Sequence, residues 1–322
     1  MSESDAVEPL PPLDLVCLGE AMVEFNQAPE DPAHYTAGFG GDTSNCAIAA
    51  ARIGARSGYI TQVGDDAFGR QLLALWRDER FDTAGVRVVA GADTGIYFVT
   101  HGAQGHAFSY RRAGSAASRM APDDAGFGSC LQQVGRAGTL HVSGISQAIS
   151  DSARATVDAA IELARARGVR IAYDLNFRPR LWSADSARPV VARTARVTDV
   201  FLPSVDEVAL LAGTRTPEQA LQWAHGLGAP TVVLKLGRDG CWVSTREGVT
   251  RVPPFAPASV VDATGAGDCF AGALLARLAA GDSLVTAARA ANVAAALSTR
   301  GFGAVAPLPH WPQVRAALAA LA

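Results

Sequence analysis

Short apolar runs alternate with amphipathic segments from residue 139 onward. The runs are typical of buried strands, and the segments carry one apolar stripe at helical spacing. Strands are predicted at residues 139–142, 169–174, 200–202 and 231–236, and helices at 152–167, 186–196, 206–212 and 217–227. This order predicts an α/β fold, with a doubly wound, mostly parallel sheet and helices on both of its faces.

The first third of the chain breaks this alternation. Buried strands are predicted at residues 13–19 and 58–63, and further strand-like runs lie at 22–25, 35–39, 96–101 and 106–110. Helices are predicted at 68–76 and just after Gly41, the latter capped by Thr43 or Ser44 and ended by Gly54. The strand-like runs, within about residues 21–40 and 94–113, form either edge strands of the main sheet or a small antiparallel lid over the strand C-termini, where ligands bind in open α/β sheets.

Composition excludes several classes of protein. The 322 residues include 28 basic and 31 acidic side chains, a net charge of −3, which argues against nucleic acid as a partner. No apolar run approaches the roughly 18 residues that span a bilayer, and the five cysteines show no metal-ligand spacing. Residues 1–12 are acidic and proline-rich without a signal-peptide pattern. We therefore expect a disordered tail there, one domain over residues 13–322, no membrane partner and a cytoplasmic location.

A glycine-rich turn near the C-terminus carries the clearest chemical signal. Residues 261–275 read V-D-A-T-G-A-G-D-C-F-A-G-A-L-L, so small residues precede an apolar helical stripe. Such a turn directs unpaired amide N–H groups and the positive end of a helix dipole at one point, which suits a phosphate. Asp268 is either a carboxylate favoured by that dipole or a base that takes the proton of a substrate hydroxyl. In the second case the amides of Gly265, Ala266 and Gly267 would stabilise a transferring phosphoryl group.

Two further features indicate a polar site. Lys235 is the only lysine among the 28 basic residues. Either chance explains this, or the position needs a compact ammonium group. Gly40 and Gly41 precede a predicted helix and could form a plain turn. Asp42 and Asn45 would nevertheless project from the helix start, and carboxylate and amide groups bind sugar hydroxyls well.

The pattern D-x-x-G-A-G-D-x-F-x-G is similar to that of the ribokinase-like, or PfkB, carbohydrate kinases, and the resemblance spans about residues 15–309. Within that family, G-F-G-G-D-T, S-Y-R-R-A-G-S-A-A, H-V-S-G-I-S and D-L-N-F-R-P-R-L-W resemble 2-keto-3-deoxygluconate kinases. The resemblance implies a ribokinase-like fold with a small β lid. It also implies ATP- and Mg²⁺-dependent phosphorylation of the 6-hydroxyl of that sugar acid. Whether a monovalent cation binds as well stays open.

Carried over position by position, the resemblance implies four sets of site residues. Catalysis would rest on Asp268 as the base and on Gly265, Ala266 and Gly267 as the anion hole. The sugar acid would contact Gly40, Gly41, Asp42, Asn45, Tyr97, Tyr110, Arg111, Arg178 and Asp268. ATP would contact Asn176, Arg178, Ser204, Lys235, Gly237, Gly240, Asn292 and the 265–267 turn. Glu207 would orient the water shell of Mg²⁺, and Asp262 would be a ligand of the monovalent cation.

Several alternatives stay open at this point. Ser204 replaces the Asn of the family pattern N-x-x-E and could serve only as a helix cap. Arg178 could pair with a surface carboxylate, and Phe302 stands where some relatives carry an acid, which puts contacts from that loop in doubt. The same fold could act on a neutral sugar such as fructose or ribose, or bind a sugar as a regulator without catalysis. A nicotinamide-dependent dehydrogenase is disfavoured, because no G-x-G-x-x-G follows the first strand. The exposed edge of a lid predicts a homodimer or a higher homo-oligomer.

Overall fold

The computed structural model describes residues 12–28, 30–102 and 105–321. The tail predicted for residues 1–12 lies outside the described residues, except for Pro12. Thirteen β-strands occur in the described part of the chain, and they form two sheets. They are β1 (Leu13–Leu18), β2 (Met22–Gln27), β3 (Tyr35–Gly40), β4 (Ser57–Gly64), β5 (Asp82–Val89), β6 (Ile96–Gly102), β7 (Gly105–Arg111), β8 (Ala137–Ser143), β9 (Arg170–Asp174), β10 (Val200–Leu202), β11 (Val232–Lys235), β12 (Cys241–Thr245) and β13 (Gly248–Val252).

Eleven α-helices occur in the same described ranges. They are α1 (Asp42–Arg52), α2 (Ala67–Asp78), α3 (Ala125–Leu131), α4 (Gly144–Ala148), α5 (Asp151–Arg167), α6 (Ala184–Ala195), α7 (Val205–Ala212), α8 (Pro217–Gly226), α9 (Ala266–Ala279), α10 (Leu284–Ser298) and α11 (Trp311–Ala319). None of the helices in the described ranges has the length and hydropathy that a membrane span requires.

The main sheet has nine strands among the described residues, in the order β13-β12-β11-β10-β9-β8-β1-β4-β5. All neighbours from β11 to β5 pair in parallel, which confirms the predicted doubly wound α/β fold. The antiparallel hairpin β12–β13 and the edge strand β5 were not predicted. β5 reads D-T-A-G-V-R-V-V and is only partly buried, so it lacks the uniform apolar run of a central strand.

Helices cover both faces of the main sheet. Leu15 and Cys17 of β1 belong to one buried cluster, which includes residues of α1, α9 and α10. Val16 and Leu18, which alternate with them, belong to a second cluster with residues of α5, α6 and α8. Because successive side chains of a strand point to opposite faces, both faces of β1 are buried, as a central parallel strand requires.

Helices α1 and α9 pack against each other very closely. A methyl group on Gly272 of α9 would lie 2.3 Å from the carbonyl oxygen of Cys46 in α1, so only glycine fits there. The predicted cap of α1 is wrong, because the helix begins at Asp42 and its N-cap Gly41 offers no side chain. Thr43 bonds to the Tyr59 hydroxyl at 2.9 Å instead, and Ser44 accepts a hydrogen bond from Trp76 at 3.1 Å.

The second sheet, which we call the lid sheet, has the strand order β3-β2-β6-β7. Its strands fall within the two ranges predicted for a lid, and it is separate from the main sheet. One detail differs from the prediction, since β2 pairs with β6 in parallel while the other two pairs are antiparallel. In this register Glu24, Tyr97 and Tyr110 lie side by side on one face.

Candidate active site

Polar side chains gather where the parallel strands of the main sheet end. Ser143, Asp174 and Lys235 are the last residues of β8, β9 and β11. The N-termini of α1 and α9 are joined to each other by the Asn45 amide, which donates to Asp268 Oδ2 at 2.8 Å. The carboxyl edge of an open α/β sheet is where such folds bind ligands, so this cluster is the candidate active site.

The turn before α9 has the conformation expected of an anion hole. Gly265 is the N-cap with φ near 75°, in the left-handed region that favours glycine. Asp262 shapes the turn, because its Oδ1 accepts from the Thr264 amide at 2.9 Å and from the Thr264 hydroxyl at 2.6 Å. A methyl group on Gly267 would lie 3.8 Å from the Lys235 ammonium nitrogen. The start of α9 and the chain's single lysine therefore face the same point.

Asp268 is the half-buried carboxylate of this cluster. Its pKa is raised from the ordinary range of an aspartate to about 8, first by burial and then by the negative charge of Asp42. The hydrogen bond from Asn45 and the charge of Arg178 act in the opposite direction. A carboxyl group with this pKa exchanges a proton near neutral pH, as a general base requires.

Asp42 lies beside Asp268 and is held by two donors. The Ser143 hydroxyl and the Asn176 amide both donate to Asp42 Oδ2, the latter at 3.0 Å. Asn176 has a φ of 37°, a left-handed conformation that Asn tolerates better than most residues. That conformation aims its side chain at Asp42. The structure thus joins Asn176, predicted to meet ATP, with Asp42, predicted to meet the sugar.

Lys235 forms a buried ion pair. Its ammonium group donates to both carboxylate oxygens of Asp174, at 2.8 and 2.7 Å, and 13% of the lysine side chain and 3% of the aspartate side chain are exposed. Burial lowers the pKa of Lys235, but the negative charges of Asp174 and Glu207 outweigh it, so the pKa is raised overall. The lysine therefore keeps its positive charge beside the anion hole at neutral pH.

Ser204 and Glu207 form a capping box at the start of α7. The Ser204 hydroxyl accepts from the Glu207 amide at 3.2 Å, and Glu207 Oε2 accepts from the Ser204 amide at 2.9 Å. Arg178 donates to Glu207 Oε1 at 3.3 Å and to the Phe177 carbonyl at 3.2 Å. Ser204 thus has the capping role considered from the sequence, and Arg178 pairs with a residue of the site.

The lid sheet contributes a layer of aromatic rings. The Tyr97 hydroxyl donates to the buried Glu24 carboxylate, and the Tyr97 ring stacks on Tyr110 with centroids 5.7 Å apart. A methyl group on Gly40 would lie 2.3 Å from the Tyr97 hydroxyl oxygen, so the first glycine of the pair makes room for this ring. Next to this layer, a cavity of about 470 Å³ extends between the lid sheet and residues 302–306, and Phe302 is one of its lining residues.

The structure does not bring Arg111 into this group. Arg111 is exposed, follows Tyr110 directly on β7 and therefore points to the opposite face, where its guanidinium group donates to the Tyr110 carbonyl at 2.9 Å. Arg112, two residues beyond Tyr110, lies near its ring, at 5.8 Å from the centroid. Arg112 also forms an ion pair with the buried Glu20. The two-residue period of a strand could have indicated Arg112 from the sequence.

Other predicted ligands surround the loop after β13. The Asn292 amide donates to the carbonyls of Val252 and Pro253, at 3.3 and 2.9 Å. A methyl group on Gly240 would lie 2.5 Å from the Val252 carbonyl oxygen, whereas the space beside Gly237 is open. Asp262 Oδ2 accepts from the Gly303 amide at 3.0 Å. In the described ranges, no group of three or more His, Cys, Asp or Glu side chains is placed to hold a metal ion.

Sequence reasoning missed four polar residues of this region. They are Glu24, Arg112, Ser143 and Asp174. Ser143 and Asp174 could have been found, because Ser143 directly follows the predicted strand 139–142 and Asp174 ends the predicted strand 169–174, both at the ligand-binding edge. The partners of Glu24 lie on other strands, so no local signal marks it.

Comparisons with known proteins identify relatives over most of the chain. The sequence model of the pfkB family carbohydrate kinases matches residues 13–311. A 2-dehydro-3-deoxygluconokinase from Thermoproteus tenax is 36% identical over 316 residues, 92% of each chain. Fructokinase-1 from Zea mays is 33% identical, over 93% of this chain and 96% of its own. The solved structure of a putative ribokinase II from E. coli in complex with ATP and Mg²⁺ has a TM-score of 0.84 at 25% identity, covering 95% of this chain and 99% of that one.

Proposed function

This chain belongs to the pfkB family of carbohydrate kinases, and we propose that it transfers the γ-phosphoryl group of ATP to the 6-hydroxyl of 2-keto-3-deoxygluconate. The observation that carries the proposal is the half-buried Asp268 at the start of α9, held by Asn45 and with a pKa of about 8. The T. tenax relative supports the choice of sugar, since 2-dehydro-3-deoxygluconate is another name for the same compound.

Asp268 acts as the general base in this reaction. The 6-hydroxyl oxygen forms a bond to the γ-phosphorus, the bond from that phosphorus to the β–γ bridging oxygen breaks, and ADP leaves. The hydroxyl proton passes to the Asp268 carboxylate. Asn45 fixes the orientation of that carboxylate through its 2.8 Å hydrogen bond.

Positive charge next to the base stabilises the transferring group. The amides of Gly265, Ala266 and Gly267 start helix α9, whose dipole favours an anion there. Lys235, which is paired with Asp174, adds an ammonium group close to Gly267. Fixed charges aimed at the phosphoryl oxygens lower the barrier because they need no reorganisation during the reaction.

ATP would lie along Lys235, Gly237, Gly240 and Asn292, with Asn176, Arg178 and Ser204 on its other side. Mg²⁺, when bound with ATP, supplies charge at the phosphate oxygens. Glu207 suits its water shell, because this carboxylate stands close to Lys235 and Arg178, where phosphates would lie. That role of Glu207 and the role of Asp262 with a monovalent cation are predictions.

The sugar acid would lie between the two sheets. Gly40, Gly41, Asp42 and Asn45 would bind its hydroxyls, and Tyr97 and Tyr110 would cover it. The neutral-sugar alternative is supported by the Zea mays relative, which is named a fructokinase. A homodimer or higher homo-oligomer and a cytoplasmic location also stay predictions.

Coupled ADP release with Mg-ATP tests the proposal directly. The panel contains 2-keto-3-deoxygluconate, 2-keto-3-deoxygalactonate, fructose, ribose and adenosine. We expect kcat/KM for the keto-deoxy acids to exceed that for every neutral compound. A preference for fructose or ribose would support the kinase activity but contradict the sugar acid as the substrate. Binding of a sugar without turnover of any would favour the non-catalytic regulator.

A further inference from the structure

Arg180 lies in the loop after β9, in the segment D-L-N-F-R-P-R-L-W, and none of the site assignments above includes it. Its side chain is exposed, and one guanidinium N–H donates to the carbonyl oxygen of Phe108 at 3.4 Å. Phe108 belongs to β7 of the lid sheet and lies two residues before Tyr110, so both point to the same face of the strand. Arg180 therefore bridges the main sheet and the lid sheet at the aromatic layer.

We propose that Arg180 determines specificity for a sugar acid, because its guanidinium group pairs with the carboxylate of the substrate. This inference rests on the function proposed above and deepens it. It concerns binding of the substrate and assigns Arg180 no part in proton transfer or phosphoryl transfer.

Three arginines act on the aromatic layer. Burial raises the pKa of Tyr110, and the positive charges of Arg112, Arg178 and Arg180 oppose that rise. The negative charge of Asp42 acts in the same direction as burial. Three positive charges against this negative charge near Tyr110 suit a carboxylate on the substrate and give a neutral sugar no advantage. A guanidinium group can also bind both carboxylate oxygens through its forked N–H groups.

Two of the three charges are already compensated. Arg112 pairs with Glu20, and both side chains are largely shielded from solvent. Separating such a pair leaves a buried carboxylate without a partner, which is strongly destabilising. Arg178 pairs with Glu207 at 3.3 Å, with 51% of the arginine side chain and 11% of the glutamate side chain exposed.

Arg180 differs from both. In the part of the chain that the structure describes, its guanidinium group forms no ion pair with a carboxylate, and its contact is with a backbone carbonyl. A substrate carboxylate can therefore bind Arg180 without breaking an existing ion pair. Arg111 also lacks an acidic partner among the described residues, but it points to the opposite face of β7.

The experiment compares Arg180→Met with Arg180→Lys, and it uses Arg165→Met as the matched control. Arg165 is an exposed arginine near the end of α5, on the helical layer outside the site. Steady-state kinetics are measured for 2-keto-3-deoxygluconate and for fructose, each at two ionic strengths. KM for Mg-ATP is measured in parallel.

We expect Arg180→Met to raise KM for the sugar acid about ten- to a hundredfold, as loss of a charge-assisted hydrogen bond does. Its kcat, its KM for Mg-ATP and its kinetics with fructose should change much less. Arg180→Lys should recover part of the loss, and added salt should weaken binding of the acid to the wild type more than to Arg180→Met. Arg165→Met should match the wild type.

The outcomes separate the two proposals. If the wild type prefers the sugar acid but Arg180→Met keeps its KM, the role of Arg180 is overturned and the proposed function stands. If Arg180→Met raises KM for the acid and for fructose equally, Arg180 acts on the lid and not on the carboxylate, which also overturns the inference. If the wild type prefers a neutral sugar, both proposals fall together.

Discussion

The two halves of the cleft are built in different ways. At the main sheet, Asp42, Asp174, Lys235 and Asp268 are paired with other protein groups, and α1 and α9 approach each other so closely that a methyl group at Gly272 would clash. On the lid sheet, Tyr110 is 40% exposed and stacks on Tyr97 at the layer that Arg180 reaches. The first half is closely packed and its charged groups are held by hydrogen bonds or ion pairs, whereas the second presents groups that a ligand can still engage.

This difference assigns separate tasks to the two halves. Phosphoryl transfer needs charges fixed in place before the reaction, and groups held by hydrogen bonds and ion pairs provide that. Selection among sugars needs contacts that form only with the right substrate. Changes at the main sheet should therefore alter kcat or stability, and changes in the lid should alter KM for the sugar.

The largest effect is expected from Asp268→Asn. This change keeps the shape and the contact with Asn45 but removes the base, so kcat should fall by about 10²- to 10⁴-fold with little change in KM. The matched control is Asp282→Asn, which alters a carboxylate paired with Arg277 just beyond the far end of α9. Turnover of Asp268→Asn close to that of the control would contradict the assignment of the base.

The pH dependence should show the raised pKa of Asp268. Below about pH 8 the Asp268 carboxyl is increasingly protonated and cannot accept the substrate proton. We expect kcat/KM for the sugar to rise about tenfold per pH unit up to that pKa and to level off above it. Asn45→Ala should move this rise in kcat/KM to higher pH, since the hydrogen bond from Asn45 lowers the pKa of Asp268. A profile that is flat from pH 6 to 9 in the wild type would refute this explanation.

Gly272→Ala should disturb the close packing of α9 against α1 in the main-sheet half. The added methyl group would meet the Cys46 carbonyl oxygen at 2.3 Å, so α1 and α9 must move apart. We expect the free energy of unfolding to fall by about 1–3 kcal/mol, and kcat to fall because Asn45 and Asp268 separate. Gly226→Ala is the control, since α8 has open space there. Chemical denaturation that gives equal stability for the two variants would show that the helices can adjust.

The smallest effect is expected from Tyr97→Phe in the lid sheet. The change removes the hydrogen bond to the buried Glu24 and keeps the aromatic ring, so it disturbs the lid without touching the base. KM for the sugar should rise by about three- to tenfold while kcat stays within about twofold. Tyr35→Phe serves as the control, because Tyr35 is an exposed residue of the same sheet that contacts Phe98. A fall in kcat of Tyr97→Phe with KM unchanged would contradict the separate tasks of the two halves.

Local signals explain which predictions succeeded. The turn at residues 265–268 and the strand–helix alternation after residue 139 depend on neighbours in sequence, and the structure has both where they were expected. Prediction failed where a side chain with a local preference bonds instead to a residue that is distant in sequence. Thr43 and Ser44 are good capping residues, yet both side chains are taken by Tyr59 and Trp76 of other elements. The edge strand β5 carries too little apolar pattern to be recognised alone.

The sequence by itself determined the fold class, the family and the position of the glycine-rich turn, because periodicity and small residues act over short stretches of chain. Only the tertiary structure decided which side chains meet. Asn45 reaches Asp268 across 223 residues, and Glu24 reaches Tyr97 across 73. It also decided that Arg111 faces away and that Arg180 has no acidic partner among the described residues. Such pairings depend on sheet register and on helix packing, which no single stretch of sequence contains.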